Sequence, residues 1–149
     1  MTSTNKKTSE TQDKKLTQKW GKETMQQGFA AIPNILIEKQ RELQITPIEM
    51  NILLILLKYW WEKDKYPYPS KSVISDYIDK EESTVRRTIK SLEEKGLLNR
   101  EKRFQKQGGQ TSNQYDLAPL VTKLKELSKE ENRKNKLKQE IAGKERRGK

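Results

Sequence analysis

The sequence predicts a mainly α-helical fold with one small β-hairpin, on three observations. An apolar run over 48–61 is broken only by Glu49, Asn51 and Lys58, which suits a helix covered on both sides. The stretch 66–117 then orders a short helix, a turn, a second helix and a hairpin with Gly108-Gly109 at its tip. Positive charge gathers on the last two of these: 83–107 holds eight basic and three acidic residues, whereas 20–82 holds eight against ten. A helix able to enter a major groove, followed by a flexible β-wing beside it, is the element order of a winged helix-turn-helix. The expected architecture is that fold with N-terminal and C-terminal helical extensions.

Three segments are expected. Residues 1–19 read as a disordered basic tail: beyond Met1 they hold one apolar residue, Leu16, and have nothing to bury against the entropy of ordering. The winged domain spans 20–118, and 119–149 is a C-terminal basic helix or tail. Trp20 and Phe29 are the first residues expected to dock on a core, and a short helix over 35–43 follows Pro33 and Asn34. Thr46-Pro47-Ile48-Glu49 opens the central helix, 47–62. There Thr caps, Pro fits the first helical position and Glu at the third completes a capping box.

Ser70 caps a helix over 71–79, with Val73, Ile74, Tyr77 and Ile78 on its buried face. A turn leads to the helix 82–95, which Gly96 ends by supplying the left-handed position. Strands over 97–103 and 113–117 flank a loop, 105–112. Past Pro119, the stripe Leu120, Leu124 and Leu127 dissolves into Lys, Glu and Asn, as in a helix docked at its start and frayed at its end.

Composition excludes much chemistry. The 149 residues carry a formal charge of +11, but +3 of it lies in 1–19 and +6 in 119–149, so tail charge says little about a specific site. There is no cysteine and no histidine, which rules out disulfides, thiol catalysis, Cys/His zinc sites and histidine acid–base chemistry. No carboxylate pairs with a base, a metal cluster or a phosphate loop, and Gly108-Gly109 lacks the strand-to-helix context of a nucleotide site. The expectation is a protein that is not an enzyme, with no metal, no cofactor and no evident small-molecule substrate. The first nineteen residues lack the apolar segment of a signal peptide, and the run 52–57 is too short for a bilayer. A cytoplasmic, nucleoid-associated protein without membrane contact is expected.

On the helix 82–95, rotation by about 100° per residue puts Val85, Ile89 and Leu92 on one buried stripe. Arg87, Lys90, Ser83 and Glu94 then lie opposite, with Arg86 and Ser91 on the flanks. Arg87 and Lys90 suit guanine edges or phosphate, and Ser83 and Thr84 suit phosphate or base edges near the helix start. Any exposed helix face carries such residues; the position before a basic, glycine-tipped hairpin is what favours DNA. In the wing, 103–112, Arg103, Lys106, Gln107 and Gln110 can follow the backbone or enter a minor groove, as can Lys102 just before it. Ser70, Lys71 and Ser72 could bind phosphate at a helix N-terminus or simply cap it. Glu81 and Glu82 stand where a phosphate would meet the positive helix end. They could cap the helix, accept a bond from cytosine, or lower an affinity that dimerisation or tails restore.

The run from Tyr68 to Val121 resembles the winged helix-turn-helix domains of bacterial, plasmid and phage regulators and replication proteins. The matching residues are Thr84, Val85, Arg87, Ile89, Leu92, Gly96 and Leu97, then Ser112, Asn113 and Tyr115. The lead-in from Gly28 to Trp61 looks like that of relatives tied to mobile elements and replication initiation, so the resemblance covers 28–121. It implies that Arg86, Arg87 and Lys90 contact DNA. The chain departs from the pattern at the turn, with Asp79 and Glu81 where Gly and a capping Ser are usual.

These features together lead to a sequence-specific double-stranded DNA-binding protein, a transcriptional regulator of a plasmid or mobile element, with 82–95 as recognition helix. The alternatives are a replication initiator or origin-binding accessory protein, and a protein–protein adaptor using the same surface. A homodimer on a palindrome is the expected state, because one small domain touches few base pairs. The apolar helix, Trp60 with Trp61, and the terminal helix are the candidate seams.

Overall fold

The computed structural model describes residues 2–148, with the side chains of residues 2–8 and of Gln110 outside the description. The chain divides into two compact units, one ending at Ala31 and the other beginning at Ile32.

The first unit holds α1 (Thr2–Trp20) and α2 (Lys22–Gln26), separated at Gly21, whose φ of +89° suits glycine. The sequence predicts disorder over 1–19, and the structure draws a helix there instead. No described residue of α1 or α2 is buried. The helix therefore rests on backbone hydrogen bonds and the helix-favouring Lys, Gln and Glu residues of the segment, not on a core. Trp20 and Phe29, expected to dock, are each about half exposed, and the packed core begins beyond them.

In the second unit the helix expected over 35–43 is two pieces, α3 (Asn34–Glu38) and α4 (Gln40–Leu43), broken at Lys39. Gln44 then turns left-handed (φ +58°), and the Ile45 N–H closes back on the Gln40 carbonyl at 2.9 Å. The central helix α5 (Pro47–Tyr59) starts as predicted: the Glu49 N–H donates to Thr46 Oγ1 at 3.3 Å, and the Thr46 N–H donates to Glu49 Oε1 at 2.8 Å. Ile52, Leu53 and Leu56 are fully buried along it, and Leu54 reaches the surface.

Helix α6 (Lys71–Ile78) is capped by Ser70, whose Oγ accepts from the Val73 N–H at 3.1 Å. Ile74 is fully buried, but Tyr77, expected on the same face, is 55% exposed; its hydroxyl bonds that of Tyr59 at 3.0 Å. Asp79 adopts the left-handed conformation (φ +51°) that the turn requires, a role open to Asp because its short side chain tolerates it. Helix α7 (Glu82–Glu94) buries Val85, Ile89 and Leu92 completely, with Thr88 beside them donating to the Thr84 carbonyl at 2.7 Å.

Gly96 (φ +71°) ends α7 in a Schellman motif. The Gly96 N–H reaches the Glu93 carbonyl and the Leu97 N–H reaches that of Leu92, each at 3.0 Å.

Strands β1 (Asn99–Phe104) and β2 (Gln110–Asp116) pair antiparallel and run closer to the tip than predicted. Arg100 faces Tyr115 and Arg103 faces Thr111; between Glu101 and Arg103 the register slips, with one more residue on β2 than on β1. The Tyr115 N–H donates to the Pro67 carbonyl at 2.9 Å, tying the proline-rich loop to the hairpin. Helix α8 (Ala118–Arg147) is continuous rather than frayed, and buries Leu120 and Leu124 in the same core as α5 and α7. It therefore belongs to the second unit instead of forming a tail from 119 onward. The whole is a winged helix-turn-helix with helical extensions.

One carboxylate links these elements. Glu49 is 2% exposed, and besides its capping bonds it receives Lys95 Nζ at 2.6 Å and Ser91 Oγ at 3.0 Å. Lys95 Nζ also donates to the Gln44 carbonyl at 2.6 Å, and Lys123 Nζ of α8 donates to the Lys95 carbonyl at 2.8 Å. Burial alone would raise the Glu49 carboxyl; the bonds from Lys95, Thr46 and Ser91 outweigh it and hold it below the ordinary carboxylate range. A depressed folded-state value means that this stabilisation is complete above the ordinary range and is lost as pH falls through the folded value. Glu49→Gln should cost about 2 kcal/mol near neutral pH, below the usual cost of breaking a fully buried pair because Lys95 keeps a quarter of its side chain in water. Urea denaturation across a pH series checks this, and the gap between the two proteins should close at the acid end.

Candidate nucleic-acid interface

The outer face of α7 is set by its buried stripe. With Val85, Ile89 and Leu92 in the core, Ser83, Arg86, Arg87 and Lys90 are exposed and Thr84 is half-buried. Arg86, Arg87 and Lys90 form no salt bridge among the described residues. Arg87 Nη2 donates to Thr84 Oγ1 at 3.3 Å, which lays the guanidinium along the helix toward its N-terminal end.

Ser91 departs from expectation. Its hydroxyl donates to the buried Glu49 and is half-buried itself, so it faces α5 and is a structural contact instead of a DNA contact. The flank position on the helical wheel did not reveal that α5 covers this side.

The acidic start of α7 is also resolved in part. Glu81 occupies the N-cap position without a side-chain bond to the backbone, and accepts the Ser83 hydroxyl at 3.4 Å. Glu82 lines a cleft of about 230 Å³ formed by the start of α6 and by β2. Ser70, Lys71 and Ser72 line one side of it and Thr111, Ser112 and Asn113 the other. The Ser70 oxygen already serves as the cap, Lys71 is half-buried and Ser72 is exposed. The structure thus brings the three together with the acid that the sequence had placed at the head of the recognition helix. The polar lining from β2 is part of the Ser112-Asn113 motif, which sequence inspection noted for fold and not for a site.

The wing is held at its base and open at its tip. Arg100 grips Glu93 through its backbone N–H (3.0 Å), Nε and Nη2 (both 3.2 Å), tying β1 to the end of α7. That guanidinium holds the Glu93 carboxyl below its ordinary range. Lys102, Lys106 and Gln107 are exposed, whereas Arg103 is half-buried with its guanidinium 3.9 Å from the centre of the Tyr68 ring. Arg103 is therefore held beside Tyr68 instead of ranging freely as its sequence position implies. The Gln110 side chain lies outside the described residues. At the tip, Gly108 (φ +84°) and Gly109 (φ +91°) close the turn, with the Gln105 N–H on the Gly109 carbonyl at 3.0 Å.

Among the described residues no group of three or more carboxylates gathers as a metal site, and no helix is long and apolar enough to cross a membrane.

Residues 32–136 match the family model of the DnaD N-terminal domain. The chain belongs to that family. The DnaD match starts where the second compact unit starts and takes in α8 as far as residue 136. No curated protein matches the chain. Among solved structures, it is similar to a possible transcriptional regulator from Methanosarcina mazei Go1, at 21% identity over 71% of this chain and 85% of that one, with a TM-score of 0.42.

The two roles assigned to the outer face and to Ser91 separate experimentally. Ser91→Ala removes a hydroxyl from a buried carboxylate, and should lower stability by about 1–2 kcal/mol. Because the Lys95–Glu49 pair still fixes the roll of α7, it should leave nucleic-acid affinity unchanged when the folded fraction is matched, as thermal denaturation alongside binding titration would show.

Proposed function

We propose that the protein is a double-stranded DNA-binding replication protein, with the outer face of α7 in the major groove and the wing on the adjacent backbone or minor groove. The single observation that supports this most is the row Arg86, Arg87 and Lys90: exposed, without a salt-bridge partner among the described residues, and turned away from the core on a helix whose roll the bonds to Glu49 fix. Membership of the DnaD family supports a replication role over the transcriptional-regulator role that the sequence suggested first. In this proposal the protein binds origin-type duplex sequences, acts as a homodimer across a two-fold site, and performs no catalysis of its own.

Arg87 reads bases and the wing lysines meet phosphate, so their removal has different signatures. Arg87→Ala should cost about 1–3 kcal/mol on the preferred sequence and relax preference at one base. Lys106→Ala should weaken all sequences alike and flatten the salt slope by about one. Gel-shift titration on preferred and scrambled duplexes at two salt concentrations checks both. Equal, sequence-independent losses from the two variants would contradict the assignment, and bound fragments mapping to promoters instead of origins would return the role to transcription.

A further inference from the structure

Beside the wing lies an aromatic surface that the duplex reading does not use. Tyr59, at the end of α5, and Tyr68, in the loop before α6, line a cleft of about 340 Å³ with Pro67, Pro69 and Val73. That volume is within the range of small-ligand sites, and no acidic side chain lines it. Each of its two tyrosine rings carries a cation. Lys58 Nζ stands 3.9 Å from the Tyr59 ring centre and 5.7 Å from that of Tyr77, and the Arg103 guanidinium stacks on Tyr68 at 3.9 Å.

Such a surface is costly to leave in water. Tyr68 is 57% exposed, and neither prolines nor valine can hydrogen-bond through their side chains, so the cleft offers stacking and little polar readout. The loop joining its two walls adds charge: 58–71 carries four lysines against Glu62 and Asp64.

We propose that this cleft receives unpaired bases of single-stranded DNA, stacked against Tyr59 and Tyr68, with Lys58 and Arg103 on the flanking phosphates. Aromatic faces set between cations are the combination that single-strand binders use, since every base offers a π-face and every phosphate a charge. A proline-rich peptide also fits aromatic grooves, but it gives no role to two cations stacked on the ring faces. Position supports the assignment: the cleft shares Pro69 with the one at the head of α6 and α7, and Arg103 belongs to the wing itself. A strand peeled from the duplex beside α7 would have a short path to it. This goes beyond the duplex reading and stands or falls separately.

The test is fluorescence anisotropy of the full chain with labelled oligo(dT) and with duplex DNA. Tyr68→Ala changes no charge, so attraction by the basic tails is the same in both proteins. It should weaken oligo(dT) binding roughly five- to a hundred-fold and leave duplex binding unchanged; Tyr68→Phe should restore the single-strand affinity. Arg87→Ala should do the reverse, weakening duplex and sparing oligo(dT). Unchanged oligo(dT) affinity in Tyr68→Ala would overturn the proposal. So would binding of a proline-rich peptide that Tyr68→Ala abolishes and oligo(dT) fails to displace. Duplex binding indifferent to Arg87→Ala, with single-strand binding lost in Tyr68→Ala, would support this site and remove the duplex reading instead.

Discussion

The buried carboxylate of Glu49 is the constraint on which the rest of the second unit depends. An ionised group with 2% exposure is tolerable only if its lone pairs are occupied. Here Thr46, Ser91 and Lys95 occupy them. The same bonds therefore cap α5, pull the second half of α7 against its start, and bring Lys95 to the left-handed end of α4. Lys123 extends the link to α8 through the Lys95 carbonyl. Hydrophobic contact with Val85, Ile89 and Leu92 would hold α7 on the core but leave its roll soft, because apolar packing has no direction. Bonds from Ser91 and Lys95 to one fixed acid remove that freedom. The face carrying Arg86, Arg87 and Lys90 is aimed by an interaction on the flank of the same helix.

Electrostatics around that face are mixed, and the mixture is informative. Glu81 stands at the N-cap of α7 and Glu82 opens it, and Glu82 sits in the cleft beside the start of α6. Phosphate binding at helix starts, which many DNA-binding domains use, is thereby discouraged at this spot. In the proposed duplex complex, affinity would come from the middle of α7, from the wing tip with Lys106, and from residues 1–19 and 119–149, which hold most of the net charge. Long-range attraction by tails is sequence-independent and salt-sensitive, while the compact face supplies orientation.

Elements whose signals are local were legible in the sequence. The Thr46-Pro47-Ile48-Glu49 start, the Ser70 cap, the α7 stripe and the Gly96 stop each depend on residues within a turn of one another. Most of what failed depended on distant contacts. Ser91 looked like a flank residue because its partner lies 42 positions away in α5. Tyr77 was placed inward by spacing alone, yet a hydroxyl partner on Tyr59 and the width of the core keep it outside. Arg103 seemed free until the fold brought Tyr68 beneath it. The polar segment 1–19 was expected to lack structure because it buries nothing, whereas helix formation there draws only on local bonds and propensity. Of the site, the identity of the outer-face cations was readable, and the boundary between free and engaged groups was not.

Methylation interference on a bound duplex tests the central claim most directly, since a methyl on guanine N7 projects into the major groove and leaves the phosphates untouched. With α7 seated in that groove, methylation at a few guanines within the bound site should abolish binding. Binding that tolerates methylation at every guanine would contradict the account and leave the face of α7 without a duplex against it.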